Sequence, residues 1–198
     1  MIDTLLGRPG SRGASVFDAI ARSLVAAGIG PNSLTCTALA LGLVAAALFF
    51  VDHGWWAMLV LVGSGLLDAV DGRVARLGRG ATAWGGVLDL TSDRVVEAAV
   101  LLGVVVPHPA WHLPALVLAC TWYVNLCVFL AVGAATDRQP QKLIAYPPGL
   151  LERGELLVVT LLVVAVPGIG PAAMYVYAVL ELITGAQRFR HGRRVLAT

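Results

Sequence analysis

The sequence predicts an all-α integral membrane protein, with six transmembrane helices preceded by an N-terminal amphipathic helix lying in the membrane interface. Three observations predict it. Of 198 residues, 58% are hydrophobic and only 13% charged, whereas soluble domains run near half apolar and a quarter charged. Mean hydropathy is +0.82, far above what a disordered chain could carry. The apolar residues also gather into stretches about as long as a bilayer is thick, parted by Pro/Gly breakers. The near balance of 14 Lys+Arg against 12 Asp+Glu lends no support to a nucleic-acid partner.

The chain is expected to divide into an N-terminal tail and juxtamembrane helix over 1–32 and a six-span domain over 33–198. The opening MIDTLLGRPGSRG is polar and is not read as a signal peptide. Over 14–28, Val16, Phe17, Ile20, Leu24 and Val25 share one helical face while Asp18, Arg22 and Ser23 lie elsewhere, as suits an interfacial helix. The spans are expected at 33–51, 55–77, 84–106, 113–134, 149–166 and 170–187. Pro31-Asn32-Ser33 reads as a cap for the first span. Trp55-Trp56 resembles an interfacial anchor, and Pro107-His108-Pro109 and Pro167-Gly168 read as breaks. Cys36, Cys120 and Cys127 have no metal-binding spacing and sit in apolar runs, so they are expected as small core residues.

Basic residues set the orientation. All fourteen fall on one side of the six-span arrangement, and the opposite connections carry only Asp52, His53, His108 and His112. By the positive-inside rule both termini are expected in the cytoplasm.

The acids are less evenly spread. Asp68 and Asp71 are spaced i, i+3 and Asp89 and Asp93 i, i+4, so each pair shares a helix face. A short turn around Leu77-Gly78-Arg79-Gly80 joins the two spans that bear them. Carboxylates at membrane depth repel one another unless something positive neutralises them. With no His or Cys in the cluster, an all-oxygen ligand set favours Mg²⁺ or Mn²⁺ over Zn²⁺. A carboxylate-held Mg²⁺ points to phosphate chemistry, the metal taking its other ligands from phosphate oxygens. Gly72, Gly85 and Gly86 clear space for a ligand to approach the backbone. Arg76, one turn past Gly72, is placed to hold a diphosphate with its planar fork. Glu97, one turn beyond Asp93, either orients ligands or pairs with Arg94.

The pattern D-x2-D-G-x2-A-R-x8-G-x3-D-x3-D is matched by Asp68, Asp71, Gly72, Ala75, Arg76, Gly85, Asp89 and Asp93. It resembles the signature of the CDP-alcohol phosphatidyltransferase family, closest to its phosphatidylinositol-phosphate synthase-like branch. The resemblance implies Mg²⁺-dependent transfer of a phosphatidyl group from CDP-diacylglycerol to an alcohol, releasing CMP, in phospholipid biosynthesis. It further implies that Asp68, Asp71 and Asp89 bind metal. Asp93 would ligate a second metal and deprotonate the acceptor hydroxyl. Pro31, Asn32, Ser33, Leu34, Gly72, Arg76, Thr82 and Gly85 would bind the CDP-lipid. Thr82 could equally cap the third span, and Asn32 the first. A homodimer is also implied, with an active site open to the cytoplasm and to lipid.

For the acceptor, DLTSDR, LERGE at 151–155 and ITGAQR at 183–188 are similar to the inositol-phosphate-using branch. In that branch a Lys and an Arg at the end of the fourth span hold the acceptor's phosphate; here Asn125 and Cys127 stand there, and Leu156 replaces a second arginine expected after Arg153. The acceptor residues are expected to be Asn125, Lys142, Arg153 and Arg188. A thinner basic complement fits a neutral or less charged alcohol better than an inositol phosphate. Two other classes share parts of the pattern. A membrane prenyltransferase also uses Mg²⁺ and a diphosphate but lacks the D-G-x2-A-R core. A divalent-cation transporter needs acids near the midplane reachable from both faces.

Overall fold

The computed structural model describes residues 12–78, 82–136 and 153–197. Among these every regular element is helical: α1 (Arg12–Ala26), α2 (Pro31–Phe50), α3 (Gly54–Leu77), α4 (Ala83–Val105), α5 (His112–Thr136), α6 (Arg153–Ala165) and α7 (Gly170–Leu196). The chain divides into two compact units, residues 2–109 and 110–198.

In the first unit α2 packs on both α3 and α4, and α1 packs on α3. Small residues permit the close approach. A Cβ on Gly42 would stand 2.5 Å from Val96 Cγ2, and one on Gly103 would collide with the Ala46 carbonyl oxygen. Helices in lipid gain little from a hydrophobic drive toward each other, so such near-contact of backbones does much of the holding.

Local chemistry sets the helix ends. α1 stops at Gly28, whose φ of 75° is the left-handed conformation open to glycine. The Ile29 N–H then reaches back to the Leu24 carbonyl at 3.0 Å. Asp52 plays the same part after α2 with φ 62°, the His53 N–H bonding the Leu48 carbonyl at 2.8 Å. Asp is among the few residues that tolerate this conformation.

The amphipathic face expected on α1 is split. Phe17, Leu24 and Val25 pack with Ala21 against Leu34, Val70 and Val74. Val16 and Ile20, on the flank of that face, stay 59% and 44% exposed. Arg73 of α3 fastens the helix, bridging to Asp18 at 3.3 Å and lying 4.8 Å over the Phe17 ring.

Among the described residues three stretches are long and apolar enough to cross a membrane: Pro31–Phe50, Pro109–Ala135 and Pro167–Leu196. With 24 and 23 residues, α3 and α4 have the length, but the acids and arginines concentrate in their adjoining halves. The 13 described residues of α6 reach about 20 Å, short of a hydrocarbon core of about 30 Å. Residues 149–152 of that expected span lie outside the described residues. Short 3₁₀ turns at Pro109–Trp111 and Pro167–Ile169 fall at the expected breaks. Trp55 and Trp56 begin α3 and are 62% and 65% exposed, as interfacial anchors would be.

Three expectations need correction. Asn32 is not a cap: Gly30 holds that position without a side-chain hydrogen bond, and Pro31 occupies the first turn, where its missing N–H is harmless. The three cysteines are exposed. In a membrane chain the lipid-facing surface is as apolar as the interior, so apolar flanks cannot mark a buried position. The last helix runs on past 187 to Leu196. Arginine is a good helix former, and Gly192 is tolerated because it packs 2.6 Å from Val132 Cγ2, measured from where its Cβ would be.

In the second unit α5 and α7 pack together. Trp111 covers Gly170, and Trp122 meets Tyr177 edge-on, ring centroids 6.3 Å apart. Between these apolar contacts lie the buried polar residues Thr121, Asn125, Glu181 and Thr184.

Candidate active site

Three of the four expected carboxylates come together. Asp68 and Asp71 project from one face of α3 and Asp89 from α4, and one oxygen of each lies within 4.8 Å of the others. Asp71 is buried, Asp68 half-buried and Asp89 exposed, so the cluster grades from the helix interior to an open side. Three anionic oxygens this close are the hard, all-oxygen donor set that suits Mg²⁺ or Mn²⁺, and these residues could hold such an ion. Asp93, one turn beyond Asp89 and half-buried, stands outside this close group. Arg94 bonds Glu97 at 2.7 Å, so of the two roles open to Glu97 the structure provides the partner.

A residue that the sequence reading overlooked braces the cluster. Thr35 of α2 donates from Oγ1 to Asp71 Oδ2 at 2.6 Å, and the same hydroxyl lies 3.1 Å from the Pro31 carbonyl oxygen. It orients Asp71 and ties it to the first turn of α2. Nothing in the local pattern marks Thr35; its importance arises only when α2 meets α3.

The expected nucleotide-binding residues form a second group beside α4. Thr82 caps that helix, its Oγ1 accepting from the Gly85 N–H at 3.0 Å. Measured from where a Gly85 Cβ would be, Thr82 Oγ1 is 3.1 Å and Asn32 Oδ1 3.3 Å away. Asn32 from the first turn of α2 and Thr82 and Gly85 from the start of α4 therefore converge on one small concavity that any larger residue at 85 would fill. Arg76 is exposed in the last turn of α3, its Nη1 3.5 Å from the corresponding point on Gly72. Pro31 opens α2 and Ser33 is exposed, while Leu34 is buried among Ala21, Val70 and Val74. Leu34 thus anchors the segment that presents Asn32.

Of the expected acceptor residues, Asn125 and Arg188 meet in the second unit, Arg188 Nη1 donating to Asn125 Oδ1 at 2.9 Å. Arg153 begins α6, and Lys142 lies outside the described residues. Glu181 was also overlooked. It is buried at 7% exposure and accepts from Asn125 Nδ2. The signal was present, because an acid inside an apolar stretch is a functional candidate by default.

Comparison with known proteins agrees with this geometry. The chain is 32% identical over 185 residues to the phosphatidylinositol phosphate synthase of Mycobacteroides abscessus, covering 88% of this chain and 82% of that protein. It is 28% identical over 183 residues to the archaetidylinositol phosphate synthase of Pyrococcus horikoshii, covering 91% and 92%. Among solved structures it resembles Mycobacterium tuberculosis phosphatidylinositol phosphate synthase with CDP-DAG bound, at TM-score 0.74 and 25% identity over 90% of this chain and 94% of that one. It resembles the same enzyme in complex with manganese and citrate at TM-score 0.74 and 26% identity, covering 89% and 88%. Residues 29–185 match the CDP-alcohol phosphatidyltransferase family. The membrane-length apolar helices, the gathered aspartates and this match have one conclusion: the chain is an integral membrane transferase belonging to the CDP-alcohol phosphatidyltransferase family.

Proposed function

We propose that the chain transfers the phosphatidyl group of CDP-diacylglycerol to the hydroxyl of an alcohol, releasing CMP. The observation that carries this reading is the meeting of Asp68, Asp71 and Asp89 on helices that also bear Gly72, Arg76 and the Asn32–Thr82–Gly85 concavity. Match to the family over 29–185 sets aside the prenyltransferase and transporter alternatives.

In this reading Asp68, Asp71 and Asp89 would hold a divalent cation, and Asp93 would ligate a second. When bound, the cations neutralise the diphosphate and stabilise the departing CMP oxyanion. Arg76 grips the diphosphate with paired N–H groups, and Gly72 lets it approach the helix backbone. Asn32 and Thr82 hydrogen-bond the nucleotide across Gly85, with Pro31, Ser33 and Leu34 fixing that segment. Asp93 takes the proton of the acceptor hydroxyl. The hydroxyl oxygen bonds to the lipid-bearing phosphorus, the phosphoanhydride P–O bond breaks, and its electron pair leaves on CMP. Asn125, Lys142, Arg153 and Arg188 receive the acceptor. The names of the relatives favour an inositol phosphate as acceptor, which is the second reading within the same reaction.

The arrangement is read as six spans with both termini cytoplasmic, the site at the cytoplasmic side, α1 in the interface and two copies in a homodimer. The one-sided distribution of the fourteen basic residues and the exposed Val16 and Ile20 of α1 support the orientation and the interfacial helix. The test is CMP release by purified protein with CDP-diacylglycerol, Mg²⁺ and a panel of alcohols. Release should be lost with EDTA and fall about a hundredfold or more in Asp71→Asn and Asp89→Asn. Undiminished turnover in Asp93→Asn would remove the base role.

A further inference from the structure

The second unit holds a polar site that the metal chemistry does not use. Asn125 of α5 donates from Nδ2 to Glu181 Oε2 of α7 and accepts at Oδ1 from Arg188 Nη1. The Arg188 guanidinium also lies 5.3 Å from the Phe129 ring centroid. Glu181 and Asn125 are each 7% exposed, and Thr184, fully buried, lies between Glu181 and Arg188 in sequence on the same helix. An acid and a base are thus joined inside an otherwise apolar pair of helices.

The bridge depends on an amide. An amide presents a donor and an acceptor on one planar end, so Asn125 serves a carboxylate and a guanidinium together. A lysine at 125 could donate to Glu181 but could accept nothing from Arg188. The presence of Asn125 and of Glu181 is therefore one coordinated feature. Its electrostatic result is compensation: the positive charge of Arg188 is balanced by a carboxylate linked to it through Asn125, and both a donor and a face of the guanidinium are engaged.

A phosphate monoester brings about two negative charges at neutral pH. To use Arg188 it must compete with Asn125 for N–H groups and accept the field of Glu181, and like charges brought together oppose binding. A hydroxyl-bearing, uncharged alcohol competes for the same N–H groups but meets no charge repulsion from Glu181. It can donate to a carboxylate and accept from an N–H, and this cluster offers both. We propose that Glu181, acting through Asn125 and Arg188, is a specificity-determining residue that fits the acceptor site to an unphosphorylated polyol and against its phosphate ester. The inference rests on the transferase reading above and names the acceptor class for it.

The experiment compares kcat/KM of the full chain in detergent, with radiolabelled CDP-diacylglycerol and Mg²⁺, for myo-inositol, glycerol, inositol 1-phosphate and glycerol 3-phosphate. The unphosphorylated member of each pair should be used at least about tenfold better. Glu181→Gln, which keeps the shape and a hydrogen-bonding end, should lower that ratio by about tenfold, and Asn125→Lys should lower it further. Preference of the unaltered protein for either phosphate ester overturns the inference while leaving the transferase reading intact. So does a Glu181→Gln variant in which both rates fall together at a constant ratio, since that is the signature of a merely structural role. Product from none of the four acceptors, with no CMP released, overturns the transferase reading itself and the inference with it.

Discussion

Thr35 shows how much a single hydroxyl can bear on a metal site. Its bond to Asp71 at 2.6 Å fixes which way a buried carboxylate points, and outer residues of this kind commonly change metal affinity by about ten- to a hundredfold. Thr35→Val should therefore raise the Mg²⁺ concentration for half-maximal activity by about that factor, while Thr35→Ser should stay close to the parent; Mg²⁺ titration of CMP release measures both. Thr82 carries a different burden. Its cap on Gly85 contributes about 1 kcal/mol to α4, and its oxygen also faces the concavity shared with Asn32. Thr82→Ala should lower thermal stability slightly and raise the KM for the CDP-lipid, whereas Thr82→Ser should preserve both. The gathering of Asp68, Asp71 and Asp89 was legible in the sequence because charge in an apolar stretch is conspicuous and the spacing of the acids assigns a face. Thr35 was not legible, because its partner lies 36 positions away and threonines are ordinary in such helices.

At the scale of elements, the helices were readable from apolar runs and Pro/Gly breaks, and α2 through α5 begin and end within a few residues of expectation. What failed was the identification of faces. A soluble helix announces its buried stripe through polar residues opposite, but here both sides are apolar, and Cys36, Cys120 and Cys127 were misplaced for that reason. The buried stripe is marked instead by small residues. Gly42, Ala45, Ala46 and Gly103 line the contact of α2 with its neighbours. Gly103→Ala should force the Ala46 backbone away and destabilise the fold by roughly 1–3 kcal/mol, the range expected for overpacking. Thermal unfolding in detergent would register it, and an unchanged midpoint would show that α2 and α4 separate without penalty. The extension of α7 to Leu196 was missed because the arginines there look like a terminal tail, although nothing in 188–196 stops a helix except Gly192.

For the molecule as a whole, the residues read as binding the metals and the CDP-lipid, with the base Asp93, run from Pro31 to Asp93, and those read as recognising the rest of the acceptor run from Asn125 to Arg188. These two sets fall in different compact units, residues 2–109 and 110–198. The consequence is evolutionary as much as mechanical. Substitutions that retune the choice of alcohol can accumulate in α5–α7 while the motif of α3 and α4 is held constant by the chemistry of the diphosphate, so one branch of a family can change product without relearning catalysis. A chimera that joins residues 1–109 of this chain to the C-terminal portion of an inositol-phosphate-using relative should keep its KM for the CDP-lipid and adopt the relative's acceptor. Side-by-side donor and acceptor kinetics would read this out, and a chimera retaining this chain's acceptor would place the choice in the first half instead.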